Sequence, residues 1–170
     1  MKDFLQGKWL KHPLHPILVH LPTSLWPAAL VFDVLGIMGI GGNASVQAAF
    51  YAILFGLGAA LLAIPAGLAD WLDIKPEKPA RQLGLYHMVI NISATVLWLV
   101  NLLLRWNDVG TATQVGTLPL ALSIVGTLLL VVSGYLGGRM VYDYGIGIGR
   151  QSKKKWRKIA EQGEARVPQE

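Results

Sequence analysis

Four long apolar segments, near positions 16–40, 46–72, 82–104 and 117–142, occupy most of this chain. Each is about as long as the ~20 residues that an α-helix needs to cross the hydrocarbon core of a bilayer. The expected fold is therefore all-α: an integral membrane bundle of four helices running up, down, up and down. Residues 1–15 form a segment before the bundle, 16–142 the bundle itself, and 143–170 a glycine-rich and then basic tail. In 170 residues, 53% hydrophobic and 15% charged, there is room for one such bundle and no second domain.

Charge then gives the direction. If all four segments cross, both termini and the middle loop share one face, side A. Fourteen of the fifteen Lys and Arg residues lie there, among them Lys2, Lys8, Lys11, Lys75, Lys78, Arg81, Arg139 and the cluster Lys153, Lys154, Lys155, Arg157, Lys158. Side B has only Arg105. Basic residues flanking membrane helices stay cytoplasmic, so the expected topology is N-in and C-in. The same asymmetry accounts for a pI near 9.6 through topology and anionic lipid, leaving no call for nucleic acid. With no cysteine in the chain, disulfides, thiolate metal sites, covalently attached haem and an iron–sulfur cluster held by this chain alone are excluded.

Local signals refine the picture. Phe4, Leu5, Trp9 and Leu10 among Lys2, Lys8 and Lys11 read as a short interfacial helix, or else as an unstructured terminus. In His12–Pro16, HPLHP, each proline restrains the preceding histidine to extended geometry, which predicts that the first membrane helix starts at Pro16. That first segment is too long for the apolar core of a signal peptide and contains Pro22, Pro27 and Asp33, so it reads as a retained helix. On the second segment Gly56, Ala60, Ala63 and Gly67 share one face that leads to Asp70. Close helix packing is the first explanation of that stripe, and room for a flat ligand the second. The glycines at 145, 147 and 149 lack the helix and Lys-Ser/Thr pair of a phosphate loop. The two halves of the chain show no clear internal repeat.

The chemistry gathers at side A, where all four histidines lie: His12, His15, His20 and His87. His20 and His87 each sit about one turn into a helix that starts from the same side. They are therefore expected at matched depth, about 5 Å below the interface. Two imidazoles from two helices are what bis-histidine ligation of haem b needs, with Arg81 and Arg139 placed to pair with its propionates and Asn91 to orient His87. The alternative is a non-haem metal ion held by His15, His20, Asp70 and His87, with His12 joining them. A carboxylate at Asp33 costs ~2.5–3.5 kcal/mol in mid-bilayer unless compensated, which predicts a hydrogen bond to a neighbouring helix or a proton path. No nucleophile, base and acid set is recognisable, so an electron carrier or an accessory subunit is expected rather than an enzyme.

HPLHPILVHLPTSLW (12–26), AIPAGLADWLDI (63–74), YHMVIN (86–91) and SGYLGGRMVYDYGIGIG (133–149) together resemble a bacterial four-helix membrane family, domain of unknown function 2231. The resemblance spans about 12–149. It implies the bacterial cytoplasmic membrane, and, because some members are joined to or encoded beside Rieske-type iron–sulfur proteins, redox work with another polypeptide as electron partner. Other expectations remain open: an accessory subunit of a larger respiratory or photosynthetic membrane complex, and a metal or proton carrier using Asp33.

Overall fold

The computed structural model describes residues 1–147; the basic cluster from Lys153 to Lys158 lies outside them. A short helix α1 (Lys2–Leu5) and a 3-10 turn (Lys8–Leu10) precede four long helices. These are α2 (Leu14–Ile37), α3 (Asn43–Trp71), α4 (Pro79–Arg105) and α5 (Thr117–Tyr142). All four are long and apolar enough to cross a membrane, and the described residues contain no strand. Their outward faces carry side chains such as Val31, Phe55, Leu62, Val89, Leu103 and Val131, each more than half exposed except where lipid would cover it. The bundle is thus a membrane protein with a largely apolar coat, and the charged residues Asp33 and Arg105 are inside it.

The first helix starts earlier than the proline pattern predicts. α2 begins at Leu14, so His15 is helical and Pro16 is its third residue. The correction has a simple cause: the first turn of a helix has no intrahelical acceptors for its N–H groups, so a proline anywhere in that turn loses nothing. Pro22 and Pro27 sit inside a continuous α2. Residues 1–11 are folded as α1 and the 3-10 turn rather than left as an unstructured terminus. Phe4 and Trp9 stack with ring centroids 5.7 Å apart and are 62% and 60% exposed. Lys2 and Gln6 bind the Asp73 carboxylate just beyond α3. Gly7 turns with φ 71°, where an added Cβ would lie 2.3 Å from the His12 carbonyl.

The helices form a ring in chain order, α2 against α3, α3 against α4, α4 against α5 and α5 against α2, and the tightest pairs are the hairpins α2–α3 and α4–α5. These hairpins match each other, which overturns the expectation of no internal repeat. His15, Thr23, Trp26 and Asp33 correspond to His87, Thr95, Trp98 and Arg105 at a constant offset of 72 positions. Gly56, Ala63 and Gly67 correspond to Gly126, Ser133 and Gly137 at an offset two positions shorter. The same packing recurs in both. A Cβ on Gly56 would collide with Trp26, and one on Gly126 with Trp98. A Cβ on Gly67 would collide with the ring of His15, and one on Gly137 would crowd that of His87.

Matched residues of α2 and α4 also meet one another. The rings of His15 and His87 lie 6.5 Å apart, Trp26 stacks on Trp98 at 5.5 Å, and Asp33 pairs with Arg105 at 2.6 Å. This is what a two-fold axis running along the bundle generates, with both hairpins pointing the same way. The three pairs form tiers from side A to side B. Successive tiers are 11 and then 7 residues apart along each helix, or roughly 16 and 10 Å at the helical rise.

The small-residue stripe on α3 is thereby explained as sockets for Trp26 and His15, the packing alternative. Trp26 and Trp98, with Ile53, Ala29 and Ala94, form the centre of the core.

Candidate functional site

α2 buries the stripe Pro22, Trp26, Ala29, Asp33 and Gly36, and stepping back by helical spacing from Pro22 leads to His15 rather than His20. His20 is five residues past His15, about 140° round the helix, and is exposed on the outer surface. The level of His87 follows from α4, which starts at Pro79. Its first two turns project beyond the start of α2, so His87 comes level with His15. The depth count that paired His20 with His87 is corrected on both grounds: the histidines that meet are His15 and His87.

They meet in a cavity of about 360 Å³ at the side-A end, between the two hairpins. Trp26 and Leu130 lie at its floor, and Asp70, Asn91 and Ser133 add polar groups to the wall. Each imidazole is braced by its own hairpin. His15 Nδ1 lies 2.9 Å from the Ala63 carbonyl, and His87 Nδ1 lies 3.0 Å from the Ser133 carbonyl. A carbonyl only accepts, so Nδ1 carries a proton in both rings. This is the tautomer that backbone acceptors impose on metal-ligating histidines.

The two sides differ in one respect. Asn91 Nδ2 donates to His87 Nε2 at 3.1 Å and to Ser133 Oγ at 2.6 Å. The matching position in α2 is Val19, and His15 Nε2 has no partner among the described residues. Asn91 thus stands beside His87, where the sequence placed it.

The remaining expected residues are elsewhere. Arg81 spreads over the Trp71 ring at 3.7 Å and donates to the carbonyls of Trp71 and Ile74 at 3.1 and 2.7 Å, while Trp71 Nε1 donates back to Arg81 at 2.9 Å. Its guanidinium closes the α3–α4 connection and does not line the cavity. Arg139 pairs with Asp143 at 2.7 Å, outside the cavity. At the mouth, a second groove is lined by Gln6, Lys8, Lys11, His12, Asp70 and Asp73, and it shares Pro13, Asp70 and Ile74 with the cavity. Among the described residues no three His, Asp or Glu side chains converge as a metal cluster. The set His12, His15, His20, Asp70 and His87 is therefore not assembled: two meet, Asp70 sits at the cavity rim, His12 in the groove and His20 outside.

At side B, Asp33 accepts from Arg105 Nη1 and Nη2 at 2.6 and 2.7 Å and from Ser123 Oγ at 2.8 Å. Arg105 Nε donates to Asn101 at 2.8 Å. Both charges are buried, and both carboxylate oxygens accept hydrogen bonds, so α2 is tied to α4 and α5. Sequence reasoning missed Arg105 because it was counted with the flanking charges of side B. Its position 72 residues after Asp33 was the available signal.

Residues 11–150 match a family of predicted membrane proteins, DUF2231, in agreement with the motifs quoted above. The match covers most of the chain, and the chain belongs to that family. No curated protein and no solved structure matches it.

Proposed function

Starting from a four-helix member of that membrane family, we propose that the chain is an electron-transfer module that holds haem b between His15 and His87. One observation carries this reading: His15 and His87 line one cavity from matched positions of the two hairpins, with ring centroids 6.5 Å apart. The His15 and His87 imidazoles, one from each hairpin, would be the two protein ligands of the haem iron. Two protein nitrogens alone are too few for a bare ion, which takes four to six donors. A porphyrin supplies four of its own. The space lies between hairpins, which suits a flat molecule, and its apolar floor suits a macrocycle.

The residues have distinct tasks in this reading. The Ala63 and Ser133 carbonyls fix the rings, and Gly67 and Gly137 let them lie close to their helices. Asn91, which donates to His87 Nε2 and to Ser133 Oγ, would have to give up the first of these bonds for His87 to hold the group. Lys11 and His12, which line the groove at the mouth, would face an acidic edge of the group in place of Arg81 and Arg139. Haem b supplies one-electron exchange, ferric to ferrous, and the other redox partner is a separate protein, of which a Rieske-type protein is one candidate. The basic residues of side A put both termini in the bacterial cytoplasm, which reporter fusions at each terminus test.

The deciding experiment is a reduced-minus-oxidised visible spectrum of purified protein supplied with haem. A sharp α band is expected in the wild type and in His20→Ala, and its loss in His15→Ala and His87→Ala. No band in fully folded wild-type protein ends the haem reading and leaves an accessory subunit of a larger membrane complex. Loss in His20→Ala alone refutes the ligand assignment.

A further inference from the structure

The two-fold match between hairpins predicts two equivalent side walls for the cavity, one between α3 and α4 and one between α2 and α5. They are built differently. On α3 the wall carries Ile64 and Leu68; the matching positions on α5 are Gly134 and Gly138. A Cβ added to either glycine would meet nothing within 4 Å. Across the gap on α2, Pro16 and Thr23 line the cavity and are at the same time exposed on the outer surface, as is Gly134. Leu68 and Ile92 on the opposite wall also line the cavity and reach the outer surface, but the exposed residues there are large and aliphatic, whereas glycine stands at both matching positions of α5. At the edge of the α2–α5 gap is His20, the counterpart of Ile92, exposed and without a partner among the described residues.

We propose that this gap between α2 and α5 is a side portal through which the cavity takes a flat, lipid-soluble ring compound from the bilayer. The assignment of that compound as haem rests on the function proposed above; the portal itself rests on the wall geometry. The symmetry argument is what distinguishes the gap from loose packing. Elsewhere the hairpins conserve small residues where rings press against them, at Gly56, Gly126, Gly67 and Gly137. Gly134 and Gly138 have no such ring to receive, and they stand where the matching wall carries two large aliphatic residues. Opening the wall at membrane depth exposes the cavity to hydrocarbon, where a planar apolar molecule is concentrated and water is not. His20 gives the polar edge of such a molecule a hydrogen-bonding group at the threshold.

The absence of cysteine from the chain provides a direct test. Ala60 is buried and lines the cavity, so Ala60→Cys in lipid vesicles is a unique thiol inside it. N-(1-pyrenyl)maleimide delivered through the bilayer is expected to label it, and the charged aqueous reagent methanethiosulfonate ethyltrimethylammonium to label it much more slowly. Gly134→Leu with Gly138→Leu is expected to slow pyrenyl labelling several-fold. Gly58→Leu, at another open glycine that does not line the cavity, leaves the rate unchanged. Adding Ile64→Ala and Leu68→Ala to the leucine pair restores labelling through the opposite wall. An unchanged rate in the leucine pair, or faster labelling by the aqueous reagent, overturns the proposal. If the leucine pair does not fold, Ile64→Ala with Leu68→Ala in the otherwise unaltered Ala60→Cys chain must accelerate pyrenyl labelling, and no acceleration overturns it equally. No haem is used in these measurements. Labelling that follows the portal in a protein that never binds haem would sink the haem reading and leave the portal standing.

Discussion

Trp26 and Trp98 occupy matching positions in the two hairpins and stack on each other at 5.5 Å with ring planes 20° apart. Each indole fits because a glycine on the next helix of its own hairpin has no side chain. A Cβ on Gly56 would lie 2.3 Å from Trp26 Nε1, and one on Gly126 2.6 Å from Trp98 Nε1. Gly56→Val and Gly126→Val are each expected to destabilise by about 1–3 kcal/mol through overpacking. Gly58→Ala, which meets nothing, stays within about 0.5 kcal/mol of wild type. Thermal unfolding in detergent compares the three, and equal midpoints would contradict the socket assignment.

The pair Asp33–Arg105 is buried and bonded through both nitrogens of the guanidinium fork. Removing one partner strands the other charge. Asp33→Ala is expected to cost about 3–5 kcal/mol, whereas Asp33→Leu combined with Arg105→Leu recovers most of the loss. The same unfolding assay reads both. A double variant as unstable as the single one would show that the neighbouring Asn101 and Ser123, not the ion pair, set the cost.

Asn91 covers His87 Nε2 where the first hairpin has Val19. Asn91→Val makes the two sides alike and removes a hydrogen bond worth about 0.5–1.5 kcal/mol that ligation must break. Haem titration is expected to show roughly two- to ten-fold tighter binding. Weaker binding would mean that Asn91 supports the ligated histidine rather than competing for it.

Acid should release the N-terminal foot. The Gln6 amide, and after it the Lys2 ammonium, hold the Asp73 carboxyl below its ordinary value. A depressed carboxyl contributes fully above the unfolded value, near pH 4, and loses its contribution as pH falls through the lower folded value. Docking of residues 1–11 is therefore expected to be constant from neutrality to about pH 4 and to fail below it. A nitroxide on Leu10→Cys reports the change as increased mobility. In Asp73→Asn the label should already be mobile at neutral pH; a label still immobile there would show that Asp73 does not hold the foot.

Much of this architecture was legible from hydropathy alone, because lipid leaves a long apolar segment few choices. The four spans, their alternation and the family follow from that pattern and from HPLHP. The histidine partner did not follow. It depends on the helical phase of α2, set by Trp26 and Asp33 further along, and on how far α4 projects past its neighbour. The repeat was hidden for a related reason: identity survives at only a few positions, such as the histidine and tryptophan of α2 and α4 and the paired glycines of α3 and α5, and the offset shifts by two between the helices of a hairpin. Those positions are the ones where a ring meets a helix backbone, so they show only once the contacts are known. Arg81 and Arg139 had the right charge and the right side for propionates, but local partners at Trp71 and Asp143 claim both.

Asp33 and Arg105 also say something about why the two hairpins share one polypeptide. Two identical hairpins assembled as separate molecules would place the same residue twice at any point on their axis, so an acid there would confront an acid and a base would confront a base. Opposite charges across that axis require two sequences that differ. Joining the hairpins in one chain makes such a difference possible at each tier: Asp with Arg at the bottom, Val with Asn beside the histidines, and aliphatic with glycine at the cavity wall.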